Sequence, residues 1–132
     1  MNKIKLTILL LLSCLNIIFI NTQHIGILEK EETIGVLRYK KKLTYLSDRI
    51  KYTHNGASFI FPEGTFKKSP SVTVSLQLNE EFNPNIIWTP IITSCTSSNT
   101  TIRVTRFEYS NSGCQQREAN IGEVDVIIYA LG

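Results

Sequence analysis

Ser69-Pro70-Ser71-Val72-Thr73-Val74-Ser75-Leu76-Gln77-Leu78 alternates polar and apolar residues without a break from Ser71 onward. Successive side chains of a strand point to opposite faces, so Val72, Val74, Leu76 and Leu78 form a dry face. Ser71, Thr73, Ser75 and Gln77 form a wet, hydroxyl-rich one. A sheet that is apolar on one side must bury that side against a second layer. This stretch therefore predicts a small antiparallel β protein whose work is done by a surface rather than by a catalytic cleft.

Outward from this strand, the same alternation recurs between turn signals. Arg49 to Thr53 alternates, and His54-Asn55-Gly56 then reads as a turn, because Asn-Gly accepts positive φ at little cost. Ser58-Phe59-Ile60-Phe61 is a short strand stopped by Pro62 and the Glu63-Gly64 turn. After a polar loop over 79–85, residues 86–93 form the next strand, and Pro90 inside it predicts an edge position or a bulge. Thr100 to Tyr109 and Glu123 to Leu131 are the last two strands, separated by a long polar loop from Ser110 to Asn120. The expectation is an all-β sandwich of about six strands over residues 48–132. Residues 23–47 read as a leader, in which Glu29-Lys30-Glu31-Glu32 suits the start of a short helix and Ile34-Gly35-Val36-Leu37 suits a strand.

Residues 1–22 have a targeting character. Met1-Asn2-Lys3-Ile4-Lys5 is a basic start, and the run from Leu6 to Ile20 is almost wholly apolar but short for a membrane span. A secretory signal cut between Asn21 and Gln23, or after Gly26, fits the pattern. So does an uncleaved anchor, the one case that makes a membrane a partner. A lipoprotein reading, with Cys14 lipidated, is a third. All three place the domain outside the cytoplasm. With Lys3 and Lys5 set aside, 12 of the 14 basic residues remain against 11 acidic ones. That balance argues against a nucleic-acid partner, and Lys40-Lys41-Lys42 reads as a solvated patch.

Outside the cytoplasm, and with Cys14 removed, Cys95 and Cys114 are an even pair in an oxidising space. Both lie in polar, turn-like stretches, and either a disulfide between neighbouring loops or two free thiols is compatible with them. Catalytic signatures are sparse. The histidines are His24 and His54, and no zinc, nucleophile-elbow or phosphate-loop motif occurs. Glu123 and Asp125 share a strand parity that would suit two carboxylates around a glycosidic bond or a cation, or simply a wet strand end. Asn99-Thr100-Thr101 is a glycosylation sequon. The reading is a non-enzyme with no cofactor, no catalytic residue and no metal site.

The strand from Thr100 to Tyr109 breaks its own pattern. Ile102 and Val104 share one face, whereas Phe107 and Tyr109 share the other with Arg103 and Thr105. Either a bulge returns Phe107 to the core or the strand displays aromatic and basic groups outward.

Phe59-x-Phe61, followed by Gly64-Thr65-Phe66 and Pro70 leading into the alternating strand, resembles the opening of an H-type lectin domain. Val126-Ile127-Ile128-Tyr129-Ala130-Leu131-Gly132 resembles its closing strand, with Tyr129 where a Trp is common. Similar endings occur in bacteriophage tail-fibre tips. The resemblance implies a six-stranded antiparallel sandwich, trimeric, that binds sugars such as N-acetylgalactosamine. The expected function is thus a secreted, homo-oligomeric domain that binds glycans or glycoconjugates. The alternative is an oligomerisation module of a surface or fibre protein. Candidate ligand contacts are Trp88, Arg103, Arg106, Tyr109 and Asn111, although Trp88 shares its parity with Ile86 and Ile92 and also suits the core.

Overall fold

The computed structural model describes residues 23–132. The signal, anchor and lipoprotein readings, and Cys14 with them, concern residues outside that range. The described chain forms β1 (His24–Ile34), β2 (Leu37–Lys51), β3 (Ala57–Ile60), β4 (Ser71–Leu78), β5 (Ile86–Cys95), β6 (Asn99–Ser110), β7 (Gly113–Glu118) and β8 (Val124–Leu131). One antiparallel sheet runs β1-β2-β8-β4. In the other, β5 pairs with one side of β6, while β3 and then β7 pair with successive parts of its other side.

The inner faces meet in one core. Leu46, Val124, Val126, Ile128 and Ala130 come from the first sheet, and Phe59, Ile102 and Val104 from the second. Val72, Val74, Leu76 and Leu78 pack against this core, while Ser71, Thr73, Ser75 and Gln77 are exposed, so the parity of β4 is the one the sequence predicts. Phe59 and Phe61 are buried while Ile60 between them is exposed, and Phe61 meets Phe66 edge-to-face at 5.1 Å between ring centres.

The architecture is the expected sandwich, with two strands more than the six read from the sequence. The first is β1. No helix opens at Glu29; the segment pairs with β2 across a Gly35-Val36 turn, with Glu29 opposite Lys42 and Glu31 opposite Lys40. Gly35 at φ +63° with an ordinary Val36 is the pattern of a II′ hairpin turn. Acidic β1 and basic β2 attract one another across the ladder, information that a local helix propensity does not contain. The boundary placed at 47/48 falls within β2, which runs on without interruption. The second is β7, read from sequence as part of a polar loop. Gln115-Gln116-Arg117-Glu118 carries no apolar alternation, and backbone pairing with β6 from Thr105 to Ser110 makes it a strand.

Two local signals are used as their chemistry suggests. Asn55-Gly56 turns the chain, with Gly56 at φ +95°, but the turn carries it from the first sheet to the second rather than closing a hairpin. An added Cβ at Gly56 would lie 2.9 Å from the Ile102 carbonyl oxygen. Pro90 sits on the edge strand β5 opposite Val104. The Val104 N–H and C=O bond on the far side of β6, so the missing Pro90 N–H faces the open edge.

Candidate functional site

The strand that broke its pattern is the centre of the site. β6 pairs with β5 in unbroken register from Ile102 to Glu108, and the bulge lies instead in β5, between Ile92 and Ser94. With no phase change in β6, Ile102 and Val104 face the core, and Arg103, Thr105, Phe107 and Tyr109 face outward together. Ile87 of β5 and Gln116 of β7 flank Phe107, and Thr89 and Glu118 flank Thr105. Phe107 is half-buried between its neighbours, and the Tyr109 side of the face is open, with that residue 48% exposed.

Beside these aromatics, Arg103, Thr105, Gln116 and Glu118 border a shallow depression of about 390 Å³. Arg103 donates to both Glu118 oxygens, at 3.1 and 3.3 Å. From below, the buried Tyr52 hydroxyl donates to Glu118 Oε1 at 2.6 Å and accepts the Val104 N–H at 3.2 Å. The side of β6 facing β3 and β7 is left open at Val104, where β3 has ended and β7 has not begun. Tyr52 and the Ala119 N–H, which donates to the Val104 carbonyl at 2.9 Å, fill that gap. Burial, then the bond to Glu118, raises the Tyr52 pKa above that of an ordinary tyrosine. The Glu118 carboxylate is thus fixed from two sides, with Arg103 as its exposed partner.

The five ligand-contact candidates divide between faces. Arg103 and Tyr109 lie on the outer face, and Asn111 is exposed in the turn that joins β6 to β7. Trp88 and Arg106 are opposite one another on the inner face. The Arg106 guanidinium lies 5.7 Å from the Trp88 ring centre, within cation–π range, and also pairs with Glu108. Trp88 further packs against the core, so its ring is occupied by protein. Sequence reasoning missed Gln116, Glu118 and Tyr52. The first two lie in the strand hidden by its polar composition, and the contact of Tyr52 with Glu118 spans 66 positions.

Two alternatives that the sequence left open are resolved by position, against the disulfide and against a paired-carboxylate site. Cys95 and Cys114 are both free. Cys95 is opposite Thr100 and Cys114 opposite Tyr109, which places them nine residues apart along β6. At about 3.3 Å per residue this is roughly 30 Å, far beyond the ~7 Å Cα separation that a disulfide spans. Glu123 and Asp125 do not converge on a ligand either. Glu123 takes both Arg117 nitrogens, at 2.6 and 2.8 Å, and Asp125 takes Arg49 at 2.6 Å and Asn79 at 2.8 Å. Both carboxyls are held below the ordinary range, Glu123 chiefly by Arg117 and Asp125 chiefly by Asn79, then Arg49. Among the described residues no group of three His, Cys, Asp or Glu side chains is arranged to hold a metal ion.

Comparison with protein-family models, with curated proteins and with solved structures finds no match for the chain.

Proposed function

We propose that the domain recognises glycans or glycoconjugates, without catalysis, through the outer face of β5, β6 and β7. The observation that carries this reading is the unbroken register of β6, which keeps Phe107 and Tyr109 outward beside Arg103 and Thr105. An aromatic face stacks on the apolar side of a sugar ring, and the Arg103–Glu118 pair with Gln116 supplies fixed donors and acceptors for its hydroxyls. The resemblance to H-type lectins points to the same ligand class, and the apolar run from Leu6 to Ile20 to an extracytoplasmic setting. Titration of the labelled domain with saccharides, followed by amide NMR, tests the surface. Shifts at Arg103, Thr105, Tyr109 and Gln116, with Thr73 and Ser75 on the opposite sheet unmoved, support it. Shifts confined to the opposite sheet rule this surface out.

A second reading, an oligomerisation module, is favoured by a different observation. β1 and β2 pair along their whole length, but β8 joins β2 only from Tyr45. The remainder of the hairpin is a two-stranded arm bearing exposed Ile27, Ile34, Val36 and Leu37. Isolated ribbons of this kind are marginal in water, and one edge of the arm is acidic while the other is basic. Such edges suit head-to-tail pairing between copies. Sedimentation as an oligomer that dissociates when Val36 and Leu37 are made polar supports this second reading.

A further inference from the structure

We infer that the domain carries a second ligand site, for a sulfated saccharide, in a basin between the base of the hairpin arm and the loop over 64–69. The basin encloses about 620 Å³ and is lined by two lysine pairs remote in sequence, Lys41-Lys42 and Lys67-Lys68. Clefts of this size hold small-molecule ligands. Folding, not sequence, brings the pairs together. β2 delivers the first, and Gly132, exchanging hydrogen bonds of 2.7 and 2.9 Å with Thr44, ties the end of β8 beneath it. Phe66, buried against Phe61, anchors the loop that carries the second.

The distribution of ion pairs singles the basin out. Every arginine in the described residues has a carboxylate partner, as do Lys30 and Lys42. Among the described residues the lysines with no ion pair are Lys40, Lys41, Lys51, Lys67 and Lys68, and three of these five line the basin. Near-neutral overall charge makes this clustering a local feature. Lys41 and Lys42 project to opposite faces of β2, so one of them joins Lys67 and Lys68 over the basin, and ammonium groups clustered at a concave surface attract an anion whose charges are spread over several positions.

The hydroxyls of Thr44 and Thr65 in the same wall suit a sugar, and that of Ser69, which donates to the Cys95 carbonyl at 3.2 Å, keeps an acceptor side for one. Among the lining residues Phe66 is buried and Leu43 half-buried, so the wall of the basin itself offers no exposed apolar side chain to a bilayer. Both features favour a sulfated saccharide over an anionic membrane surface. The basin is built by the first sheet and the loop over 64–69, whereas the aromatic face belongs to the second sheet, so either site can fail without the other.

Heparin, a sulfated polysaccharide, is the probe, titrated against the purified protein over a range of salt concentrations. Lys67→Gln with Lys68→Gln should weaken binding tenfold or more and lower the salt slope by about one per lysine removed. Lys51→Gln, an unpaired lysine outside the basin, should change it less than twofold. Thermal melts establish that these surface variants are folded. Equal weakening by Lys51→Gln and Lys68→Gln would overturn the site in favour of diffuse attraction. Binding of phosphatidylserine vesicles or inorganic phosphate as tight as that of heparin would overturn the saccharide assignment, and so would no heparin binding at physiological salt.

Discussion

Tyr52 does at the residue scale what no strand does at its position: it closes the hydrogen-bond gap beside Val104 while fixing Glu118. Tyr52→Phe should destabilise the fold by about 1–3 kcal/mol, the cost of leaving a buried donor unpaired, measured by denaturant unfolding. The same hydroxyl contributes to alkaline stability. Its folded pKa is raised, so its contribution is complete below the unfolded value of about 10 and is lost as pH climbs through the folded value. Asp125 works in the opposite sense. Its folded pKa is lowered, so its contribution is complete above about pH 4 and fades as pH falls through the folded value. In Asp125→Asn the acid limb of the stability–pH curve should flatten below pH 4. The thiols obey a simpler rule. Both should be alkylated in native, unreduced protein, exposed Cys114 faster than half-buried Cys95, as read by intact mass.

At the element scale, legibility followed burial. β4 was readable because one face is packed and the other wet, and Phe59 and Phe61 were readable for the same reason. Val74→Asp places a charge against the core and should cost on the order of 3 kcal/mol. Thr73→Asp, on the wet face, should melt within a degree or two of the unaltered protein, and equal losses would reject the parity. β1 and β7 were not readable, because each is defined by its partner. β7 has no apolar face, and the strand character of β1 rests on the ladder with β2 rather than on its own residues. β6 shows the converse limit. Its pattern located the aromatic face, but whether a bulge would turn Phe107 inward depended on register with β5, where the bulge in fact lies. Trp88 and Arg106 were ambiguous for a related reason, since an inner-facing Trp near a sheet end looks the same in sequence as an outward one.

At the scale of the whole molecule, two sheets give three distinct surfaces. The outer face of the second sheet carries aromatics with a fixed Arg–Glu pair, the base of the arm carries the lysine basin, and the arm itself carries exposed apolar residues and edges of opposite charge. A glycan array probed in parallel with the purified domain and with Tyr109→Ala tests the proposed function most directly. The expected result is sub-millimolar binding to at least one saccharide, weakened fivefold or more in Tyr109→Ala, about 1 kcal/mol of lost aromatic contact, with the melting temperature unchanged. Silence across the array, or equal binding by the variant, would contradict it.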